Sequence, residues 1–367
     1  MITDILHTTI SYCDNERRIF NQVKTAVEAG FSCKIAALAH PELPQSEERY
    51  GGILERIKIK RHSGGMLKFL SFNLKLFFYL LRQDFRLLHA HDLWVLPSSA
   101  LAAAVKRRPL IYDAHEYYRG LKIFNRKKLS GKIWRLAERI FIRRVSALIA
   151  INTFHEELYH RDFPAIGKSE VIMNLPEAGK TAPPGWAERE IPVLFQGIFK
   201  PGRGLVPLVM ALVRLKKVSA SFIGFGEIED ELRQLVRESA APVRFLGKKS
   251  VDELLGFSEK ARIGVVLFEP DSLNYLYASP NKFFEYVIAG TPVIASDLPT
   301  FRDFLRQYEV GLLVNPSDPA QIGDAILRLL DDRGFWESCH QNCLKARLEW
   351  NWEAQAPRLI NLYRELM

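Results

Sequence analysis

The sequence predicts an α/β protein made of two doubly wound domains. The chain twice alternates short apolar runs with helical segments, and its 367 residues exceed the usual size of one domain. The two series are separated by 176–190, PEAGKTAPPGWAERE, a stretch rich in proline, glycine and charge. We therefore expect an N-terminal domain over 1–175, a linker over 176–190, a C-terminal domain over 191–349 and a final helical segment over 350–367.

The first half contains the patterns of seven strands. They are predicted at 2–10, 33–38, 53–60, 86–90, 109–113, 147–151 and 169–173. Residues 53–60 alternate isoleucine with charged side chains, which is typical of an exposed or edge strand. The apolar stretch 66–82 is too short and too interrupted for a membrane-spanning helix. It is either a buried domain helix or a partly exposed helix lying in a membrane interface.

The second half starts a new series of strands, predicted at 191–196, 219–224, 242–246, 262–268 and 293–295. Glycine-rich loops follow the first two of these strands. The loops contain Gly197, Gly202, Gly224 and Gly226. A strand, a glycine-rich loop and a helix together form a phosphate cradle. Neither a dinucleotide fingerprint nor a P-loop motif occurs in the sequence.

The segment 279–297, SPNKFFEYVIAGTPVIASD, organises the second half. Ser279 is a typical N-cap and Pro280 suits the first helical position, so a helix with a buried apolar face should follow. The apolar face consists of Phe283, Phe284, Val287 and Ile288. A helix N-terminus at the mouth of a parallel sheet binds anions, most often phosphate. Glu285 lies further into this helix, and its carboxylate could accept hydrogen bonds from a pair of hydroxyl groups.

This segment, with Val310-Gly311-Leu312-Leu313-Val314 after it, resembles the donor-binding motif of family 4 glycosyltransferases. The resemblance implies the GT-B fold: two Rossmann-like domains facing each other across a cleft, with the last helix crossing back to the N-terminal domain. It also implies a retaining transfer from a nucleotide-diphosphate sugar, with the ribose hydroxyls on Glu285. The donor-binding residues expected from it are Gly197, Lys200, Gly202, Arg203, Gly224, Gly226, Ser279, Pro280, Asn281, Lys282 and Glu285.

Two positions depart from the family pattern. The family places an arginine and a lysine on the pyrophosphate; Arg203 matches one of them, Ile198 stands at the other, and Lys200 is a substitute nearby. Tyr277 stands where many relatives have the first of two glutamates, so Asn274 or backbone N–H groups could hold the sugar. No D-x-D triplet is present, so no metal is expected and Arg203, with Lys200 or Lys282, should stabilise the leaving diphosphate.

Polar residues follow two strands of the N-terminal half. His91 and Asp92 end one strand, and His115 and Glu116 follow the other. Ligands bind at the carboxyl ends of strands in open α/β sheets, so these residues should line the acceptor side of the cleft. The resemblance brings the residue matching His115 close to the transferred sugar, so we expect His115, Glu285 and Arg203 to be catalytic. The resemblance also implies an arginine near the start of the first helix, a position that Arg17 or Arg18 could fill.

The pair His89 and His91 could also serve a metal, since alternate residues of a strand share a face. The sequence shows no third ligand for it. Cys339 and Cys343 are one helical turn apart, which again permits a metal, but two reduced cysteines on one helix face are the simpler explanation.

The net charge of +9 is concentrated in one segment. Between Arg119 and Arg144 there are ten Lys/Arg and a single acid, Glu138. Ile133, Trp134, Ala137, Ile140 and Phe141 recur at helical spacing within it, so the segment predicts an amphipathic cationic helix packed on the domain. The cations expected to face an anionic membrane are Lys127, Lys128, Lys132, Arg135, Arg139 and Arg143. Nucleic acid is a weaker alternative because no binding module or base-stacking pattern is present.

We therefore predict a metal-independent retaining glycosyltransferase of bacterial surface polysaccharide synthesis. Its donor would be a UDP- or GDP-sugar, and its acceptor a saccharide or polyprenyl-diphosphate-linked sugar. The absence of a signal-peptide pattern and of paired cysteines favours the cytoplasm, at the inner face of the membrane. A nucleotide-sugar epimerase with the same fold, or a two-domain binding protein, are the alternatives.

Overall fold

The computed structural model describes residues 2–59, 65–121, 128–179 and 182–367. The chain divides into two compact units: the first is made of Met1–Asn174 and Gln355–Met367, and the second of Leu175–Ala354. Each unit is built around a single sheet whose strands are nearly all parallel. The predicted class, two Rossmann-like α/β domains, is confirmed.

Within the described residues the first unit has eight strands. They are Thr3–Thr8 (β1), Cys33–Leu38 (β2), Ser46–Arg49 (β3), Gly52–Ile57 (β4), Phe85–His91 (β5), Leu110–Ala114 (β6), Ala147–Ala150 (β7) and Ser169–Val171 (β8). Their order is β3-β4-β2-β1-β5-β6-β7-β8, and only β3 and β4 pair antiparallel. The direction of winding reverses between β1 and β5, so the carboxyl ends of these strands are where a doubly wound sheet binds its ligands.

The helices of the first unit include Met66–Arg82, for which the sequence left two alternatives open. They are Arg17–Glu28, Met66–Arg82, Leu96–Lys106, Lys128–Phe141 and Thr153–Asp162. Met66–Arg82 buries Phe72, Leu76 and Leu80 but leaves four other apolar side chains exposed, so the expectation of a buried domain helix holds only for one face. The prediction that 53–60 lies at an edge was wrong, because the short β3, which the sequence analysis did not identify, pairs outside β4.

Six strands form the sheet of the second unit in the described chain. They are Ile191–Gln196 (β9), Ala220–Ile223 (β10), Val243–Gly247 (β11), Ala261–Val266 (β12), Val293–Ser296 (β13) and Gly311–Val314 (β14). All pairs are parallel, in the order β11-β10-β9-β12-β13-β14. Winding reverses between β9 and β12. Gln196 and the glycine-rich loop after it therefore lie at the ligand-binding position of this sheet.

Helices cover the second sheet and bury its apolar side chains. They are Leu205–Leu215, Glu229–Ser239, Val251–Glu259, Leu273–Leu276, Asn281–Ile288, Pro299–Gln307, Pro319–Asp331 and Arg333–Ala346. Val193, Phe195, Phe222, Ile263 and Ile294 of the strands form the centre of this core. Cys339 and Cys343 are free and buried, as the simpler explanation predicted.

The final helix, Trp352–Leu366, begins in the second unit and continues in the first. In the first unit the Tyr363 hydroxyl lies 2.9 Å from Nδ1 of His89. This contact joins the C-terminal helix to β5, close to the carboxyl ends of the central strands.

Residues 182–190, expected to be part of a linker, are held to the second unit by Trp186, which packs against Trp336, and by the hydrogen bonds of Arg189. Arg189 is buried, and its guanidinium donates hydrogen bonds to the carbonyls of Pro184, Ala261, Ala289 and Gly290 and to Oγ1 of Thr291. The composition of the segment resembles that of a flexible linker, yet the boundary between the units falls before it, at 174/175.

Candidate functional sites

The helix of the predicted donor motif begins one residue later than expected. Its first residue is Asn281 and Pro280 is the N-cap, so Ser279 lies outside the helix and does not cap it. Proline carries no side-chain oxygen, which leaves the first N–H groups without a capping acceptor from that residue. Phe283, Phe284, Val287 and Ile288 are buried as predicted and fix the helix on the sheet.

Two cations lie together beside this helix and the glycine-rich loop. The Nζ of Lys282 is 4.0 Å from the ring centroid of Phe195, and the guanidinium of Arg203 is 4.2 Å from that of Phe268. Burial and then the charge of Arg203 lower the pKa of Lys282, against the opposing charge of Glu285. A site that disfavours its own lysine charge in this way gains free energy when an anion enters.

Glu285 is held by a residue that the sequence analysis did not identify. Gln196, the last residue of β9, donates a hydrogen bond from Nε2 to Oε2 of Glu285 over 2.7 Å. Its own Oε1 accepts from the Ser258 hydroxyl. The last residue of β9 therefore fixes the orientation of the Glu285 carboxylate. The only sequence signal for Gln196 was a polar residue ending an apolar strand at the winding reversal.

The glycines of the two loops have mainly a packing role. Gly224 and Gly226 have φ values of 147° and 158°, and a Cβ at either would lie 1.9 and 2.1 Å from the carbonyl oxygens of Gly197 and Phe199. The loops after β9 and β10 are thus in direct backbone contact. A Cβ at Gly202 would likewise overlap the ring of Tyr275. The centroid of this ring lies 5.6 Å from Nζ of Lys200.

Tyr275 is a second residue that the sequence analysis missed. Its ring lies 5.1 Å from the guanidinium of Arg203, so Phe268 and Tyr275 both face this cation. Tyr277, at the position of the family's first glutamate, directly follows the helix Leu273–Leu276 that carries Asn274 and Tyr275.

The second site is a buried polar cluster at the carboxyl ends of β1, β5 and β6. At its centre is Asp113, which accepts two hydrogen bonds from Arg18, over 2.6 and 2.9 Å, and one from Gln22 over 2.8 Å. Burial alone would raise the pKa of Asp113, but the charges of Arg18 and His115 hold it well below its usual value. The cluster therefore contains a permanent carboxylate.

Of the two arginines that the sequence left open, the structure places Arg18, and not Arg17, in this cluster. One residue turns a side chain by about 100° around a helix, which is enough to exchange the buried face for the outer one. Arg17 is the first residue of its helix and is half-buried. Glu116 is exposed, and its backbone carbonyl accepts a bond from the Tyr159 hydroxyl.

Four histidines adjoin Asp113. The rings of His7, His89 and His91 stack with centroids 4.4 to 5.3 Å apart, and Nδ1 of His7 lies 3.0 Å from Nε2 of His91. The Nε2 of His115 lies 3.5 Å from Oδ2 of Asp113. Burial lowers the pKa of the stacked histidines. Burial would also lower the pKa of His115, but the charges of Asp92 and Asp113 outweigh it and raise the pKa.

Two groups of these side chains are close enough to share a cation, His7 with His89 and His91, and His91 with Asp113 and His115. His7 supplies the third residue that the sequence did not reveal beside the H-x-H pair. The rings of the first group stack face to face, and both oxygens of Asp113 already accept N–H donors. Their hydrogen-bond pattern is therefore that of a proton-sharing network.

The predicted cationic helix has an exposed apolar stripe. Leu129, Ile133, Leu136 and Ile140 are 47% to 74% exposed, although Ile133 and Ile140 were expected to be packed. Of the apolar residues predicted for this helix, Trp134 is buried beside Trp94 and Phe69, and Ala137 and Phe141 are half-buried. The cations in a parallel row are Lys132, Arg135, Arg139 and Arg143, all exposed. Lys127 and the side chain of Lys128 lie outside the described residues.

Neighbouring helices extend this surface. Leu67, Leu70, Leu74 and Phe78 form an exposed row on Met66–Arg82, and Leu101 and Val105 a shorter one on Leu96–Lys106. Glu138 is buried below this surface, where its carboxylate accepts a hydrogen bond from Arg119. Burial raises the pKa of Glu138 to about 7. We use the name apolar–basic surface for the ten exposed apolar residues of these three helices together with the four cations Lys132, Arg135, Arg139 and Arg143. In the described chain, the helices fall short of the length and apolarity required to cross a membrane.

Comparison with known proteins gives the same division of the chain. A model described as "Glycosyltransferase Family 4" matches residues 16–175, and one described as "Glycosyl transferases group 1" matches 192–332. A phosphatidyl-myo-inositol mannosyltransferase of Mycobacterium leprae is 27% identical over 294 residues, which cover 78% of this chain and 75% of the relative.

Solved structures of other proteins share this fold over nearly the whole chain. Sucrose-phosphate synthase from Thermosynechococcus elongatus has a TM-score of 0.78 at 20% identity, with 99% of both chains covered. The Anabaena protein HepE, in complex with UDP and glucose, has a TM-score of 0.75 at 17% identity, with 99% of this chain and 100% of the other covered.

The fold is therefore that of the GT-B glycosyltransferases, and the protein is a transferase enzyme. Its two halves match the models of family 4 and group 1 glycosyltransferases, so the enzyme is a glycosyltransferase. This result decides against the epimerase and the binding protein that the sequence alone left open.

Proposed function

We propose that the enzyme transfers a sugar, with retention of configuration, from a UDP- or GDP-sugar to a lipid-linked or saccharide acceptor in bacterial surface polysaccharide synthesis. The observation that carries the donor assignment is the pair Arg203 and Lys282 beside the uncapped start of Asn281–Ile288. Two cations and free N–H groups suit a diphosphate. Lys282, rather than Lys200, takes the place of the missing family cation.

Charge would develop on the leaving diphosphate during transfer, and these groups can stabilise it without a metal. Glu285, oriented by Gln196, would bind the ribose hydroxyls. His115 would contact the transferred sugar in the first unit. In a front-side reaction the leaving phosphate accepts the acceptor's proton, so no carboxylate nucleophile is required.

The donor assignment is tested by thermal unfolding with UDP, GDP, ADP and CMP. We expect one diphosphate to stabilise the protein, by about 2.7 kcal/mol at 100 times its Kd. Arg203→Ala and Lys282→Met should each weaken that nucleotide at least about tenfold, since a charge-assisted hydrogen bond contributes about 1.5–3 kcal/mol. Because its cation is buried, Lys282→Met should not lower the melting temperature of the ligand-free protein.

Arg306→Ala is the matched control, since this arginine of the second unit is exposed on Pro299–Gln307. Unchanged nucleotide affinity in both Arg203→Ala and Lys282→Met would overturn the donor site. Stabilisation by none of the four nucleotides would overturn the donor class.

We further propose that the apolar–basic surface binds an anionic membrane, which would bring the enzyme to a lipid-linked acceptor. An apolar stripe flanked by a row of cations is typical of helices that lie in a lipid interface. The single acid of the segment is buried, so the exposed groups are complementary to anionic headgroups. The name of the mannosyltransferase relative contains a lipid, phosphatidyl-myo-inositol. One of the similar solved structures is a lipopolysaccharide outer core galactosyltransferase.

Sedimentation with phosphatidylcholine vesicles, with and without phosphatidylglycerol, tests this surface. Leu136→Ser with Ile140→Ser should reduce binding at least about tenfold at any salt, because each side chain loses about 1.5–3 kcal/mol of burial. Arg135→Glu with Arg139→Glu should reduce binding mainly at low salt, where charges at the surface are least screened.

Leu348→Ser is the control, since Leu348 is 75% exposed on the second unit. Equal binding by this variant and the paired serine variant would contradict the proposal. Loss of a dimer, in place of loss of vesicle binding, would assign the surface to a second copy of the chain.

A further inference from the structure

Asp92 has a backbone conformation that residues other than glycine rarely adopt. It follows β5 with φ 73° and ψ 159°. Its N–H donates to the carbonyl of Asp113 over 3.0 Å, which ties it to the end of the neighbouring strand. Strain of this kind persists only where the surrounding structure enforces it, and it is concentrated at functional sites.

The strained backbone directs the carboxylate of Asp92 to one place. Its Oδ1 accepts a short hydrogen bond from the Tyr118 hydroxyl and lies 3.5 Å from Nδ1 of His115. Tyr118 is buried and packs edge-on against Trp94, which in turn packs against Trp134. The tyrosine cannot rotate away without breaking this aromatic packing, so the carboxylate is fixed in position.

His115 is the one member of the histidine cluster that a ligand can reach. Its side chain is 23% exposed, whereas those of His89 and His91 are fully buried. On its inner side Nε2 lies 3.3 Å from Nδ1 of His91 and 3.5 Å from the Asp113 carboxylate, which Arg18 immobilises. The inner side is therefore rigid, and the Tyr118–Asp92 pair fixes the other nitrogen.

We propose that Asp92, held by Tyr118, is the positioning residue that orients His115 and keeps its Nδ1 protonated for the glycosyl transfer. This inference rests on the proposed contact of His115 with the sugar. A carboxylate fixed beside Nδ1 stabilises a proton on that nitrogen and sets the direction of the ring, so the sugar meets a single arrangement of the imidazole. Asp92 and Tyr118 act through His115 and need not touch the substrate.

Two neighbouring tyrosines provide a matched test. Tyr117 is also buried and also donates to a carboxylate, that of Asp162, which faces Arg119 and Arg161. The assay is release of UDP from UDP-glucose or of GDP from GDP-mannose, using the nucleotide that stabilises the protein. Tyr118→Phe should lower kcat at least about tenfold while the donor KM and nucleotide Kd stay within about twofold. Tyr117→Phe should leave kcat within about twofold.

Equal losses in the two tyrosine variants would mean a structural role and would overturn the inference. His115→Gln, assayed in parallel, separates this failure from that of the proposed function: full activity in His115→Gln would remove His115 from the reaction.

A readout independent of activity is the ¹⁵N spectrum of the histidine side chains. In the wild type we expect His115 to carry a proton on Nδ1, and in Asp92→Asn this signature should be lost or mixed with the other tautomer. An unchanged His115 signal in Asp92→Asn would overturn the positioning role even if that variant were inactive for another reason.

Discussion

Residues 224 and 226 must be glycine because two loops cross there in backbone contact. The carbonyl oxygens of Gly197 and Phe199 occupy the space that a Cβ would take at these positions. The same loops precede the helices that flank the donor site. A fault at the crossing would therefore disturb both the core of the second unit and the position of Arg203.

Gly224→Ala should destabilise the second unit by about 1–3 kcal/mol or more, because the added Cβ overlaps backbone at a left-handed φ. Urea unfolding followed by circular dichroism measures the change. Gly256→Ala is the control: Gly256 lies within the helix Val251–Glu259 with no atom near the added Cβ, so alanine should stabilise by about 0.5–1 kcal/mol. Similar unfolding of the two variants would show that the loop crossing tolerates a side chain.

At the scale of elements, Arg189 and Trp186, which packs against Trp336, make a linker-like sequence part of a domain. The guanidinium of Arg189 donates to carbonyls that follow the helices Val251–Glu259 and Asn281–Ile288. It has no carboxylate among its described hydrogen-bond partners, and burial lowers its pKa to about 10. The segment before β9 is thereby held against the end of the donor-motif helix.

Arg189→Met should lower the free energy of unfolding of the second unit by at least about 3 kcal/mol, because several buried carbonyls lose their donor at about 1 kcal/mol or more each. It should also make the stretch 182–190 accessible to limited proteolysis. Lys260→Met is the control, because Lys260 is exposed and directly precedes β12, the strand whose Ala261 carbonyl accepts a hydrogen bond from Arg189. Cleavage at the same rate in both variants would mean that other contacts hold the segment.

At the scale of the whole molecule, the first unit encloses several imidazoles that stay neutral. Burial and neighbouring charge lower the pKa of His7 and His89, and that of His91 to about 3. Burial alone lowers the pKa of His155 to about 4. In the unfolded chain these groups have the ordinary pKa near 6.5. As pH falls below 6.5 the unfolded state takes up protons that the folded state does not, so stability decreases.

We expect the first unit to lose stability between about pH 6.5 and 4, by up to about 1.4 kcal/mol per pH unit for each such histidine. His115, with a raised pKa, opposes this trend in part. The urea midpoint at pH 7.5 and at pH 5 measures the effect. His155→Leu should make the decline shallower, since its ring is buried without a hydrogen-bond partner in the described chain. An equal decline in the variant would contradict the assignment.

Much of the fold could be predicted because the relevant signals are local. The apolar strands, the motif helix and its buried Phe283 and Phe284 follow from periodicity alone. The sites were predicted less completely. Arg18 and Gln22 reach Asp113, His7 reaches His91 and Tyr118 reaches Asp92 across long stretches of the chain, and no spacing records such contacts. The exposure of Ile133 and Ile140 was missed because periodicity shows that apolar residues share a face, but not what that face contacts.

The sequence by itself determined the fold class, the glycosyltransferase class and most of the strands and helices of the two units. Each of these depends on residues close together in the chain, where backbone geometry sets which side chains share a face. Only the tertiary structure decided that Lys282 joins Arg203, that Gln196 orients Glu285 and that Asp92 faces His115. These pairings bring together the ends of different strands, and the sheet order that makes them neighbours is set by packing of the whole unit.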